Sequence, residues 1–286
     1  MYKHIAVLIT CFNRVEKTIT CLESLYKAKL PKDFQFDVFL VDDGSTDGTT
    51  KAVKEKFPAV IVIKGTGKLF WAGGMRLAWK NALNNKYFGY LLLNDDTILY
   101  KDVFIELLNL HMHCRKELNN EGIYVGTTQD PISNDYTYGA YRLTNKLSGK
   151  SIKIKPETYK IQFGDFSNAN ILFISKKVVD TIGILSDKFT HKLADYDYTL
   201  KATKKGFPLL VGSSYCGTCE IDHGNDWLPS TTSFKERVKY LKDPKFLAYT
   251  EYLFYIRYHF PLYFPISYIK LWIKTLFPII WDKFKT

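Results

Sequence analysis

Phe36-Asp37-Val38-Phe39-Leu40-Val41-Asp42-Asp43-Gly44-Ser45-Thr46-Asp47-Gly48 reads as a strand that ends in a polar turn. The strand-like run Phe36 to Val41, apolar apart from Asp37, stops at two carboxylates. A glycine suited to a tight turn follows, then three residues that make good helix caps. Acidic side chains at a strand end can accept hydrogen bonds from a nucleobase imide and from ribose hydroxyls. Ser45, Thr46 and Asp47 equally suit helix capping, and the two uses are compatible.

The flanking sequence repeats the pattern. Ile5 to Ile9, Val60 to Ile63 and Tyr90 to Leu93 are further short apolar runs. Between them Val15, Ile19, Leu22 and Leu25 recur at helical spacing, as do Ala52, Val53 and Phe57 over a shorter stretch. Strands apolar on both faces and separated by helices predict an α/β fold with a mostly parallel central sheet flanked by helices. Ligands of such sheets bind beyond the carboxyl ends of the strands. Three polar clusters fall there: Thr10-Cys11-Phe12-Asn13-Arg14, Asp42 to Gly48, and Asn94-Asp95-Asp96-Thr97.

The chemistry of these clusters is specific in different degrees. Adjacent carboxylates at the end of a buried strand repel each other unless a cation or a donor compensates them. A hard divalent metal bridging a diphosphate would do so at Asp95 and Asp96, and a plain polar turn is the alternative. Asp195-Tyr196-Asp197 opens a helix expected to run to Lys205, with Gly206 as its C-cap; a carboxylate at that helix start is stabilised as the anion. It serves as a general base only beside an acceptor hydroxyl, and otherwise it caps. His223, in Ile221-Asp222-His223-Gly224, is either a neutral-imidazole metal ligand or a structural histidine.

In this order the motifs resemble the family 2 glycosyltransferases of the GT-A fold, over about residues 1 to 225. The match rests on Thr10 to Arg14, on Val41 to Asp47, on Leu93 to Thr97 and on Asp195 to Asp197. Gly65-Thr66-Gly67-Lys68-Leu69-Phe70-Trp71-Ala72-Gly73-Gly74-Met75 is similar to the glycine-rich segment of rhamnosyl- and galactofuranosyltransferase-like bacterial members. The resemblance implies an inverting, metal-dependent enzyme using a UDP- or dTDP-sugar. Thr10, Asn13, Asp42, Asp43, Gly73 and Asp95 would line the donor pocket. Asp96 and His223 would hold Mn2+ or Mg2+, and Asp195 would deprotonate the acceptor hydroxyl of a glycan or lipid-linked substrate. The first position of the acidic motif is Asn94 rather than Asp, which leaves one ligand neutral. Lys68 and Arg76 are weaker candidates for phosphate or sugar contacts than for surface charge.

Competing motifs fail on spacing. Gly65-Thr66-Gly67-Lys68 lacks the upstream glycine and the following Ser or Thr of a P-loop, and no GxGxxG follows the first strand. Cys216-Gly217-Thr218-Cys219 is an isolated CxxC without a second pair, better read as two cysteines on or near a strand than as zinc or redox chemistry.

The chain of 286 residues, 46% of them hydrophobic, suffices for one main domain and an appendage. The expected division is a catalytic domain over residues 1–228, with a nucleotide-sugar half at about 1–100 and an acceptor half at about 101–228. A helical C-terminal segment over 229–286 completes it. That segment is dense in Tyr, Phe and Trp with Lys270, Lys274, Lys283 and Lys285 between them, and Pro261, Pro265 and Pro278 would break a long helix. Its longest uncharged run is shorter than the ~20 residues of a spanning helix. Aromatic and basic residues together suit a bilayer headgroup region; packing on the catalytic domain or a dimer interface is the alternative.

The net charge of +11 asks for an anionic partner, and diphosphate plus anionic lipid accounts for it without nucleic acid. Five cysteines, an odd number, and a start that runs straight into a strand pattern read as a cytoplasmic protein, peripheral on the inner face of a membrane. An oligomer is compatible with all of this. A nucleotidyltransferase on a related sheet, which would carry a glycine- and basic-rich loop after the first strand, and a non-catalytic sugar-nucleotide-binding scaffold are the competing classes.

Overall fold

The computed structural model describes residues 2–221 and 227–284. The first part alternates as the apolar pattern requires: β1 (Lys3–Cys11), α1 (Val15–Lys27), β2 (Phe34–Asp42), α2 (Thr49–Lys56), β3 (Ile61–Lys64), α3 (Phe70–Ala82) and β4 (Gly89–Leu93). β1 pairs in parallel with β2 from Lys3 opposite Phe34 to Cys11 opposite Asp42. The strands therefore outrun their apolar stretches at both ends: at the amino ends backbone pairing continues where burial has stopped, and at the carboxyl ends it carries the buried polar residues Thr10 and Asp42. The glycine-rich segment contains a helix start: α3 begins at Phe70, so Gly73 and Gly74 lie inside its first turns.

Next come β5 (Ile98–Leu99), α4 (Val103–Leu118), β6 (Ile123–Val125), β7 (Thr128–Gln129), β8 (Ala140–Asn145), β9 (Lys150–Lys153), β10 (Gln162–Gly164) and β11 (Phe166–Ser167). The stretch from 120 to 170, without a clear period in the sequence, is thus built of short strands. β12 (Ile171–Ser175), α5 (Lys176–Ile182), α6 (Ala194–Lys204), β13 (Leu209–Val211) and β14 (Gly217–Thr218) follow. Gly206, at φ +87°, lies just beyond α6, where the N–H of Phe207 returns to the carbonyl of Ala202 at 3.1 Å. The expected glycine stop is there.

The main sheet has eight strands in the order β10-β13-β6-β12-β4-β1-β2-β3. Its β1 to β4 half is parallel, whereas β12 runs antiparallel to β4 and β6. That reversal sets Ile171 opposite Leu93, so the residues just before β12 arrive at the carboxyl end of β4. Alternate residues of β1 feed two cores: Ala6 and Leu8 join Met75, Trp79 and Tyr198, while Ile5, Val7 and Ile9 join Leu22, Leu25 and Phe104. Burial on both faces explains the unbroken apolar run.

The C-terminal segment forms α7 (Phe234–Lys242), α8 (Tyr249–His259), a 3-10 turn (Pro261–Tyr263), α9 (Phe264–Leu276) and α10 (Ile279–Phe284). The three prolines sit at breaks between helices or in a first turn, as their missing N–H requires. Tyr255, Ile256 and Phe260 of this segment enter the first core beside Phe189 and Tyr198. Its outer side keeps Leu262, Ile266, Ile269, Phe277, Ile279 and Ile280 exposed. Among the described residues no helix is long and apolar enough to cross a membrane.

Candidate functional site

The turns after β1 and β2 are stapled to each other. Asn13, in the left-handed region at φ +51°, donates its N–H to Ser45 Oγ at 2.9 Å, and its Oδ1 accepts from the N–H of Thr46 at 2.7 Å. Asp47 accepts from the N–H of Val15 at 2.9 Å and of Thr49 at 3.1 Å, so one carboxylate serves the amino ends of both α1 and α2. Capping is therefore real, and it crosses between elements.

Asp42 and Asp43 are almost wholly buried at the end of β2. Asp42 accepts from the N–H of Ser45 at 2.8 Å and from the hydroxyl of Thr50. Asp43 accepts from the N–H groups of Gly67 at 2.8 Å, Leu69 at 2.8 Å and Phe70 at 3.0 Å. It thereby orders the glycine-rich segment and satisfies the amino end of α3. A Cβ on Gly65 would come within 2.6 Å of Asp43 Oδ1, which restricts that position to glycine.

The same economy of space holds between α3 and β1. A Cβ on Gly74 would stand 2.0 Å from Thr10 Oγ1, whereas one on Gly73 would meet Leu69 of its own helix start at 3.2 Å. Gly74 is the residue that lets α3 close on Thr10. A double glycine inside a helical stretch is the sequence signal for such an approach. Trp71 donates its indole N–H to Asn94 Oδ1 at 2.8 Å, so the neutral first position of the acidic motif holds an aromatic ring in place. Arg76 donates to the carbonyls of Ser186 at 2.8 Å and Phe189 at 2.7 Å, and it binds the loop before α6.

At the end of β4, Arg14 Nη1 lies 2.8 Å from Asp96 Oδ2 and 3.5 Å from Asp95 Oδ1. Thr18 donates to Asp95 Oδ2 at 3.3 Å. Burial first, and the charge of Asp96 second, push the Asp95 carboxyl up to about 7 against the pull of Arg14. Asp96 borders a cleft of about 480 Å³, between Lys17 and Thr20 of α1 and Thr218 and Cys219 at β14. Cys216 and Cys219 flank β14 as buried free thiols, and Cys219 Sγ is 3.6 Å from Asp96 Oδ1. No group of three metal-ligating side chains exists among the described residues, and His223 lies outside them. The donor set still fits a hard divalent cation. Asp96, partly exposed beside the buried Asp95 and compensated by Arg14, borders the cleft, and Mg2+-like ions are commonly held by one or two carboxylates plus substrate phosphate.

Asp195 reaches this end of the sheet through β12. The N–H of Ala169 donates to Asp195 Oδ2 at 3.2 Å, and the next residue, Asn170, gives its carbonyl to the N–H of Asn94 at 3.1 Å. The N–H of Tyr196 donates to Asp195 Oδ1 at 2.9 Å. Burial pushes this carboxyl up to about 6 despite those two donors. The residue as a whole is half-buried. Helix α6 starts after Leu193, which is itself left-handed at φ +66°. The loop before it is also tied to α3 by the N–H of Ala72 on the carbonyl of Thr190 at 3.1 Å. All of Thr10, Asn13, Asp42, Asp43, Gly73, Asp95, Asp96 and Asp195 belong to segments at one end of the sheet.

The profile of the family described as Glycosyl transferase family 2 matches residues 6–175, more than half of the chain. No curated protein matches the sequence. Among solved structures, S. aureus TarS 1–349 in complex with UDP is similar at 17% identity and a TM-score of 0.53, over 77% of this chain and 61% of that one. The mannosyltransferase PcManGT from Pyrobaculum calidifontis, in complex with GDP-Man and Mn2+, is similar at 14% identity and a TM-score of 0.56, over 98% of this chain and 72% of that one. At these identities the likeness speaks for the fold, which is the GT-A-type α/β arrangement expected, and the chain spans about 60% of the length of TarS 1–349. By its matched sequence and its fold, the chain belongs to glycosyltransferase family 2.

Proposed function

We propose that the protein transfers a sugar from a nucleoside diphosphate donor, a UDP- or dTDP-sugar, to a hydroxyl of a glycan or lipid-linked acceptor, with inversion, in cell-surface polysaccharide synthesis. The observation that carries the reading is the link from Asp195 through Ala169 and Asn170 to Asn94, which joins the base candidate to the acidic turn. Thr10, Asn13, Asp42, Asp43, Gly73 and Asp95 form the donor side. Asp96, with His223, would hold Mn2+ or Mg2+, whose chemistry there is to neutralise charge on the diphosphate. Asp195 takes the proton of the acceptor hydroxyl. The acceptor oxygen forms its bond to the anomeric carbon as the bond to the diphosphate oxygen breaks, and attack opposite the leaving group inverts configuration.

The exposed apolar side of α9 and α10, with Lys270 and Lys274 beside it, supports attachment to an anionic membrane surface, where a lipid-linked acceptor resides. The test is a donor panel of UDP-, dTDP- and GDP-sugars read as nucleoside diphosphate release, with and without Mn2+ and lipid-linked acceptors. Release only from a UDP- or dTDP-sugar supports the reading. Nucleotide monophosphate or pyrophosphate as product would make the protein a nucleotidyltransferase, and binding without turnover a scaffold.

A further inference from the structure

Two residues past Asp195, Asp197 is buried and belongs to a network that joins α6 to the C-terminal segment. Its Oδ1 is 2.9 Å from His259 Nε2 and its Oδ2 is 2.7 Å from Lys201 Nζ. The side chains of Asp197 and His259 are 1% and 0% exposed. On the other edge of the imidazole, Lys204 Nζ is 3.3 Å from Nδ1 and donates to the carbonyl of His259 at 3.0 Å. An ammonium has only donors, so the nitrogen facing it is the one with the lone pair. The imidazole proton is therefore on Nε2, donating to Asp197. Burial, the largest influence on this ring, also lowers its basicity and favours the neutral form.

This bond acts on the turn that bears the base. The N–H of Asp197 closes the first turn of α6 on the carbonyl of Leu193 at 2.8 Å, and Asp195 lies inside that turn. Leu193 is left-handed, a conformation that persists only where the surroundings impose it. From β11 the N–H of Ser167 grips Thr199 Oγ1 at 3.0 Å, and Thr199 in turn donates to the carbonyl of Asp195 at 2.7 Å. The opposite grip comes from His259, 62 residues further along the chain. The other partner of the carboxylate, Lys201 on α6 itself, neutralises Asp197 but is partly exposed and ties α6 only to its own next turn and to the Tyr258 ring of α8.

The geometry points to His259 as a positioning residue for Asp195, and so to the C-terminal helices as a working part of the catalytic unit. The inference rests on Asp195 being the base. Its mechanism is steric and directional: the Nε2–H holds Asp197, and Asp197 holds the turn whose orientation sets the Asp195 carboxylate.

Two conservative variants of the full chain separate positioning from simple stability. His259→Gln keeps an N–H donor at the Nε2 place, and His259→Asn moves it to the Nδ1 place, facing Lys204. Carbon-13 NMR of the aspartate carboxyls, with the Asp195 signal assigned by its loss in Asp195→Asn, reports the titration midpoint of Asp195 without any substrate. The expected result is a midpoint shift of roughly half a unit or more in His259→Asn and a native midpoint in His259→Gln. In parallel kcat falls roughly tenfold or more in the Asn variant, with donor KM unchanged and kcat restored in the Gln variant. Native midpoints and native kcat in both variants, with only the melting temperature lowered, would overturn the proposal, as would equal losses in both. Turnover surviving in Asp195→Asn removes the base assignment instead, and the titration then still decides whether His259 sets the geometry of that carboxylate.

Discussion

The carboxylate of Asp195 accepts a hydrogen bond from the backbone N–H of Ala169 at 3.2 Å. Ala169 precedes β12, whose antiparallel course alone brings it to the acidic end of β4. The pairing places an acid with an elevated pKa at the same end of the sheet as Asp95 and Asp96.

Asp195→Asn keeps the shape of that side chain and removes its ability to take a proton. Transfer is expected to fall by about 10² to 10⁴, the usual contribution of a general base. UDP affinity, measured by calorimetry, should stay within roughly twofold, since the donor side is untouched. A parallel loss of UDP binding would move Asp195 into the donor pocket.

The pH dependence follows from the same carboxyl. The folded state raises it from 3.8 to about 6, chiefly by burial, so the proposed base is protonated below that value. Turnover should drop about tenfold per pH unit below pH 6. The sign for stability is opposite to that of a salt-bridged carboxylate. Between 3.8 and 6 the folded chain binds more protons than the unfolded one, so stability falls as pH rises through this window and the penalty is complete above it. Asp195→Asn escapes the penalty. Its melting temperature should exceed the native one at pH 8, with the gap closing toward pH 4.

Gly74→Ala forces a methyl to 2.0 Å from Thr10 Oγ1. Overpacking of this kind costs about 1–3 kcal/mol, read in urea unfolding. Thr10→Gly in the same chain removes the opposing atoms and should return most of that loss. If the single variant is as stable as the native chain, α3 does not close on β1 as described.

Asp96→Ala should make UDP binding insensitive to Mn2+, whereas the native chain binds UDP more tightly with Mn2+ than with chelator. The variant also leaves Arg14 without its closest carboxylate. UDP affinity in chelator is therefore expected to hold or improve, since the substitution removes one negative charge beside the place proposed for the diphosphate. Equal Mn2+ enhancement in both proteins would place the ion elsewhere.

The C-terminal face predicts sedimentation with phosphatidylglycerol vesicles and not with phosphatidylcholine vesicles. Basic residues near an anionic surface contribute about 1 kcal/mol each, so Lys270→Gln with Lys274→Gln should weaken binding roughly tenfold or more. Salt at roughly 1 M should release the protein. Equal binding to both lipids would mean that charge plays no part.

The sequence by itself determined the parallel half of the sheet, the end at which the motifs gather, the start of α6 and the glycine beyond it. These are local matters: the period of apolar residues selects strand or helix, and the residue after a run decides whether it turns. Val38 to Val41 and Asp42 announce their strand and its end within a handful of positions. Tertiary structure alone decided which atoms those side chains meet. Asp43 spends its oxygens on Gly67, Leu69 and Phe70, more than twenty positions away, and Arg76 is taken up by carbonyls of Ser186 and Phe189. Asp197 meets an imidazole from a segment that composition marks only as aromatic and basic. A hydrogen bond reaches about 3 Å, and a sequence carries no distance between residues far apart along it. The reversal of β12, invisible in its apolar run because such a run suits either direction, is what carries Ala169 to Asp195.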